Sequence, residues 1–189
     1  MKKIILLFCL ALILTLPNPA LAEIERTIEP FSGAVTYTSK CAFSDDNRNM
    51  HSISLVRTIR PLRTSGVERR FETDTHFILN FDLQGNTTLG ETFDIRISDN
   101  LYVALPLAPV SSSSPSMSAI STTARTGPRE LLELVVVAIE KQQELTVRVN
   151  FSRGNRIFSL PAGQIAEWAQ LLNIKPEEAF PSDTPAGTK

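Results

Sequence analysis

The sequence predicts a mainly β protein: an antiparallel β-sandwich or partly closed barrel, with two short C-terminal helices covering one end or edge. Two observations carry that expectation. In several separate stretches apolar residues alternate with polar ones, the period of a strand with one face on a core and one in water. Only two stretches, both after residue 127, repeat their apolar residues at the helical period.

The chain opens MKKIILLFCLALILTLPNPALAEIE. Lys2 and Lys3 precede an apolar run from Ile4 to Leu16, Pro17 and Pro19 break any helix, and Ala20-Leu21-Ala22 forms an A-x-A site. This is the layout of a cleavable secretory signal over residues 1–22, cut after Ala22. The run is shorter than the ~20 residues of a membrane span, so no span is expected after cleavage. The Lys-Lys start is of bacterial type, and a periplasmic or extracellular destination follows. The remaining residues are divided into a single β-rich domain over 23–172 and a disordered tail over 173–189, rich in Pro and acidic residues. The signal carries two of the 19 basic residues and none of the 20 acidic ones, so the mature net charge is −3. That lacks the basic excess of a nucleic-acid binder.

Of the two cysteines, Cys9 leaves with the signal, and Cys41 is left without an intramolecular partner. It lies in VTYTSKCAF, the first strand of the mature chain, and shares parity with Val35, Tyr37 and Phe43. On that apolar face Cys41 reads as a small buried hydrophobe rather than a nucleophile. HFILNFDL and ETFDIRI are the clearest further strands, and Gly85, Asn86 and Gly90 between them fit a hairpin. LYVAL reads as another strand, ended by Pro106 and Pro109. The low-complexity stretch after it, residues 108–127, reads as a serine-rich mobile loop.

PRELLELVVVAIEKQQE sorts at 100° per residue. Arg129, Glu130, Glu133, Glu140, Lys141 and Glu144 share one side with Val137 as the only intruder, and Leu131, Leu132, Val135, Ala138 and Ile139 fall opposite. Pro128 suits the first helical position. ELTVRVNF and RIFSLP alternate around SRGN, a hairpin in which Gly154 can take positive φ. AGQIAEWAQLL spaces Ile165, Trp168, Ala169 and Leu172 for a second helix, with the single tryptophan plugging the core. Over residues 128–172 this order of helix, ELTVRVNF, RIFSLP and short helix resembles the C-terminal part of the invasion-associated locus B family of exported bacterial proteins. The cysteine pairs of that family are absent here.

Chemistry-bearing residues are sparse. His76 falls on a polar strand face with Asn80 and Asp82, and His51 shares a face with Ile53 and Leu55 at the edge of the core. Ser44, His51 and Asp45 contain the residue types of a triad, but no G-x-S-x-G elbow is present. Asp45, Asn47 and Asn49 match three calcium-loop positions, whereas Met50 replaces the turn glycine and Val56 the bidentate glutamate. No zinc spacing or glycine-rich phosphate loop occurs, so no metal or cofactor is expected. The remaining feature is RTIRPLRTSGVERR, read as a solvated loop in which Arg57, Arg60, Arg63, Arg69 and Arg70 form a candidate basic patch against Glu68. Guanidinium forks suit phosphate and carboxylate, so the partner expected there is a protein or an anionic envelope component. The functional expectation is an exported, non-enzymatic binding module of the bacterial envelope or secreted fraction. Its alternative is an exported hydrolase using Cys41 or carboxylates such as Asp82, Glu91 and Asp94.

Overall fold

A computed structural model describes residues 24–44, 50–62, 70–82, 88–98, 100–108, 119–152 and 154–180. The stretch read as a signal, the residues of the calcium-loop comparison at 45–49 and residues 109–118 lie outside them. The described residues form two antiparallel sheets and three helices. The first sheet has the order β1 (Glu25–Ile28), β2 (Val35–Ser44), β3 (Met50–Leu62), β4 (Arg70–Asp82) and β7 (Ala119–Arg125). The second runs β6 (Leu101–Pro106), β5 (Leu89–Ser98), β8 (Thr146–Phe151) and β9 (Gly154–Ser159). Neither sheet closes on itself, so the fold is a β-sandwich with C-terminal helices. Helices α1 (Pro128–Glu140), α2 (Ala162–Asn173) and the single turn α3 (Pro176–Ala179) complete it. No helix among the described residues is long and apolar enough to cross a membrane.

Alternation sets the inner face of the first sheet. Cys41 pairs with Ile53, Leu55 with Phe77 and Ile53 with Leu79, and all of them are buried. Phe93, Ile95, Val147 and Val149 of the second sheet join the same core. Helix α2 lays Ile165, Trp168, Leu171 and Leu172 on it, and the Trp168 ring sits 5.2 Å from Phe77. Burying an aromatic of this size stabilises the fold by about 2–3 kcal/mol. Helix α1 contributes Leu131, Leu134, Val135 and Ala138, while Ile139, placed on the apolar side by rotation, is substantially exposed. The β8–β9 hairpin forms as its alternation predicts, with Gly154 at φ +114°.

Four expectations need correction. HFILNFDL and ETFDIRI are not hairpin partners: β4 pairs with β3 and β7, and β5 lies in the other sheet between β6 and β8. A turn-rich connection permits a hairpin but cannot tell it from a crossover between sheets. Part of the serine-rich loop is strand, because Thr122 and Ala124 of β7 face the core against Leu79 and Phe77. The tail assigned to disorder is ordered at its start: Ala179 is buried against Val35 and Ile59, and Phe180 stacks on Phe71 at 5.4 Å. Finally, the arginine-rich stretch is strand at both ends, since β3 runs to Leu62 and β4 begins at Arg70.

Candidate functional site

Of the described arginines of the candidate patch, Arg57 is set apart from Arg60 and Arg70. Arg57 points to the inner face of β3, only 9% exposed, and donates from Nη1 to the Leu172 carbonyl at 3.0 Å and from Nη2 to the Ile174 carbonyl at 3.1 Å. It belongs to the core, and burial pulls its pKa down. Parity could have revealed this, because Arg57 alternates with Ile53, Leu55 and Ile59. Arg60 and Arg70 are exposed, and Arg60 lies 3.9 Å from Glu72. So open a pair is worth little and leaves the guanidinium available to a stronger anion. Arg63 and Arg69 lie outside the described residues, in the sequence joining β3 to β4.

A second feature, unread from the sequence, projects past the same end of the sheet. Because Val35 pairs with both Ile28 and Ile59, the β1–β2 turn and the β3–β4 connection leave the sheet together. The turn Glu29-Pro30-Phe31-Ser32-Gly33 is tied by Glu29 N–H to the Ala34 carbonyl at 2.8 Å and Gly33 N–H to the Glu29 carbonyl at 2.9 Å. The Ser32 hydroxyl donates to the Glu29 carboxylate and accepts from the Ala34 N–H. Gly33 adopts φ +67°, a conformation that costs a side chain but not glycine. This braced turn holds Phe31 97% exposed, with Ile28 and Leu62 about half exposed nearby along the same end. An aromatic set among turn formers, as in EPFSG, is the signal that could have found it.

The other sequence candidates are structural. The Cys41 thiol is buried, and its surroundings push it up to about 11, by burial first and by the nearby Glu167 carboxylate second. The Ser39 hydroxyl of β2 donates to Glu167 Oε2 at 2.7 Å and accepts from Gln164 Nε2, both on α2, and all three residues are buried. His51 is 1% exposed, accepts at Nε2 from Arg156 Nη1 at 3.0 Å, and packs between the rings of Phe81 and Phe158. Its cross-strand neighbour is Phe43; Ser44 faces Met50, and Asp45 lies outside the described residues. His76, predicted to be solvent-exposed, is partly covered and lies 2.9 Å from Asp74 Oδ2. Asp94 is buried and accepts from Arg148 Nε at 2.8 Å and Nη2 at 2.5 Å. Asp82 and Asp94 follow the core residues Phe81 and Phe93 on strands of different sheets, so each points away from the shared core and from the other. Among the described residues no three His, Cys, Asp or Glu side chains group as metal ligands.

No family model matches the chain, and neither a curated protein nor a solved structure matches it, so the pattern likeness of residues 128–172 stands without a family match.

Proposed function

We propose that the mature protein is an exported, non-enzymatic binding module of the bacterial envelope that docks on an anionic, phosphate-bearing lipid surface. The observation that carries this reading is Phe31, held almost fully exposed on a hydrogen-bonded turn at the end that also presents Arg60 and Arg70. A braced turn does not fold its aromatic back, so the apolar cost of exposure is relieved only when something covers it. Half-exposed Leu62 shares its face of the sheet with Arg60 and Arg70, whereas half-exposed Ile28 lies at the same end on the opposite face. The guanidinium groups then lie where head-group phosphates would meet them, the arrangement of interfacial proteins that combine apolar insertion with basic residues. The hydrolase alternative has no specific observation in its favour.

The test is co-sedimentation of the mature chain with phosphatidylcholine vesicles with and without phosphatidylglycerol. Binding is expected only to the anionic vesicles and should weaken with added salt. Phe31→Ser should weaken partitioning about tenfold or more, the burial of one aromatic side chain, and Arg60→Gln or Arg70→Gln about fivefold each. Equal partitioning of wild type and Phe31→Ser overturns the proposal.

A further inference from the structure

Strand β6 has an edge that, among the described residues, no other strand completes along its length. On its inner side the Leu107 N–H bonds the Glu91 carbonyl at 2.9 Å, just beyond the β5–β6 ladder. By the two-residue alternation of antiparallel pairs, Val103 and Leu105 also turn their backbone groups to β5, while Tyr102 and Ala104 turn theirs away. On that outer side β7 begins to pair: Leu107 bridges Ala124, and the Ala108 N–H bonds the Thr123 carbonyl at 2.8 Å. The same register continued would set Thr126 beside Leu105 and Pro128 beside Val103. Instead Gly127 caps α1 and Pro128 opens it, so the chain turns away from the ladder.

What remains is an open groove of about 530 Å³ between Leu101, Tyr102, Val103 and Ala104 on one wall and Glu130, Glu133, Leu134 and Val137 on the other. Val137 is the apolar residue that interrupts the charged face of α1, and the groove is where it goes. One wall therefore offers outward N–H and C=O groups in a row. The other offers an apolar strip flanked by two carboxylates, of which Glu133 also accepts from the exposed Arg129.

We propose that this groove captures an extended segment of another protein by strand addition to β6. Tyr102 and Ala104 supply the backbone bonds, Leu134 and Val137 take an apolar side chain, and Glu130 and Glu133 favour Lys or Arg on the segment. Four residues opposite Leu101–Ala104 span ~14 Å at about 3.4 Å each. Charge selects a basic foreign segment over a second copy of this chain. Two β6 edges paired about a two-fold would bring four carboxylates together with only the two exposed Arg129 guanidinium groups to offset them.

The probe is a fluorescein-labelled peptide alternating Lys and Val, compared with its Glu–Val counterpart on the lipid-free mature protein by fluorescence anisotropy. The Lys–Val peptide should bind and the Glu–Val peptide should not. Ala104→Pro removes an outward N–H without touching the β5 ladder, a place where edge strands tolerate proline. It should weaken binding at least about tenfold, the worth of one backbone bond with its neighbours displaced, while the melting temperature is unchanged. Should Ala104→Pro fail to fold, Glu130→Lys combined with Glu133→Lys on the helix surface reads the same site and should lose binding as far. Equal affinity of either folded variant for the Lys–Val peptide overturns the proposal. So does a dimer of the free protein that Ala104→Pro dissociates, because a second copy then holds the edge. The absence of lipid separates this outcome from that of vesicle docking.

Discussion

At Cys41 a thiol 7% exposed stands on the inner face of β2, pushed from the ordinary 9.0 up to about 11. At pH 8 the native protein holds almost no thiolate, the only reactive form. Ellman's reagent should therefore label the native protein far more slowly than the denatured chain, and rapid native labelling would show a thiol with access to solvent. The folded state binds this proton more tightly than the unfolded chain does. Its contribution to stability is thus complete below about pH 9 and is lost as the pH climbs through about 11. The face of Cys41 was legible because side-chain parity is a local property of a strand. The role of Arg57 was not, because its partners Leu172 and Ile174 lie more than a hundred residues away in the chain. Parity sets Arg57 on the inner face with Ile53, Leu55 and Ile59, but which carbonyls it meets there is not a local property of the strand. Phe31 escaped for a different reason: rules that assign apolar residues to the core pass over an aromatic set among turn formers, as in EPFSG.

Helix α2 is the element that this buried guanidinium serves. It carries no basic residue in its own last turn and no glycine after it, so its final carbonyls have neither a cation nor a left-handed cap. Arg57 reaches across from β3 and supplies both the donors and the charge to the negative end of the helix. Arg57→Met removes two charge-assisted bonds and leaves buried carbonyls behind. It should cost about 3 kcal/mol, read as a lowered urea midpoint at unchanged slope; a cost under ~0.5 kcal/mol would mean that water replaces the guanidinium without loss. The helices were the best-read elements, since rotation at 100° separates charged from apolar residues over three turns. β7 was the worst: only Ile120, Thr122 and Ala124 face inward, too few and too small to outweigh the serines before them. The single turn α3 is held by Ala179 and Phe180 on the sheet rather than by its own propensity.

Among the described residues both sheets and both longer helices contribute to one main core, beside a small second cluster of Val35, Ile59 and Ala179. Trp168, the only tryptophan, sits where α2 meets the first sheet. Its fluorescence and the far-ultraviolet circular dichroism of the strands should then lose signal in one coincident urea transition. Separated midpoints would divide the molecule into two units. Fold class followed from the periods of the segments, whereas strand partnership did not, because alternation specifies a face and not a neighbour. That is why the β4–β5 hairpin looked correct in sequence and is a passage between sheets in space. The placement of α2 has a further consequence. The strands it covers are among the first described elements to leave a ribosome, and the helix is nearly the last of them. Until some 130 residues have followed Ser39, its hydroxyl, the Cys41 thiol and the Phe77 ring stay uncovered. A chain assembled in that order spends its emergence as an open sheet with one wet apolar face, and its safe passage depends on whatever shields that face until the last segment arrives.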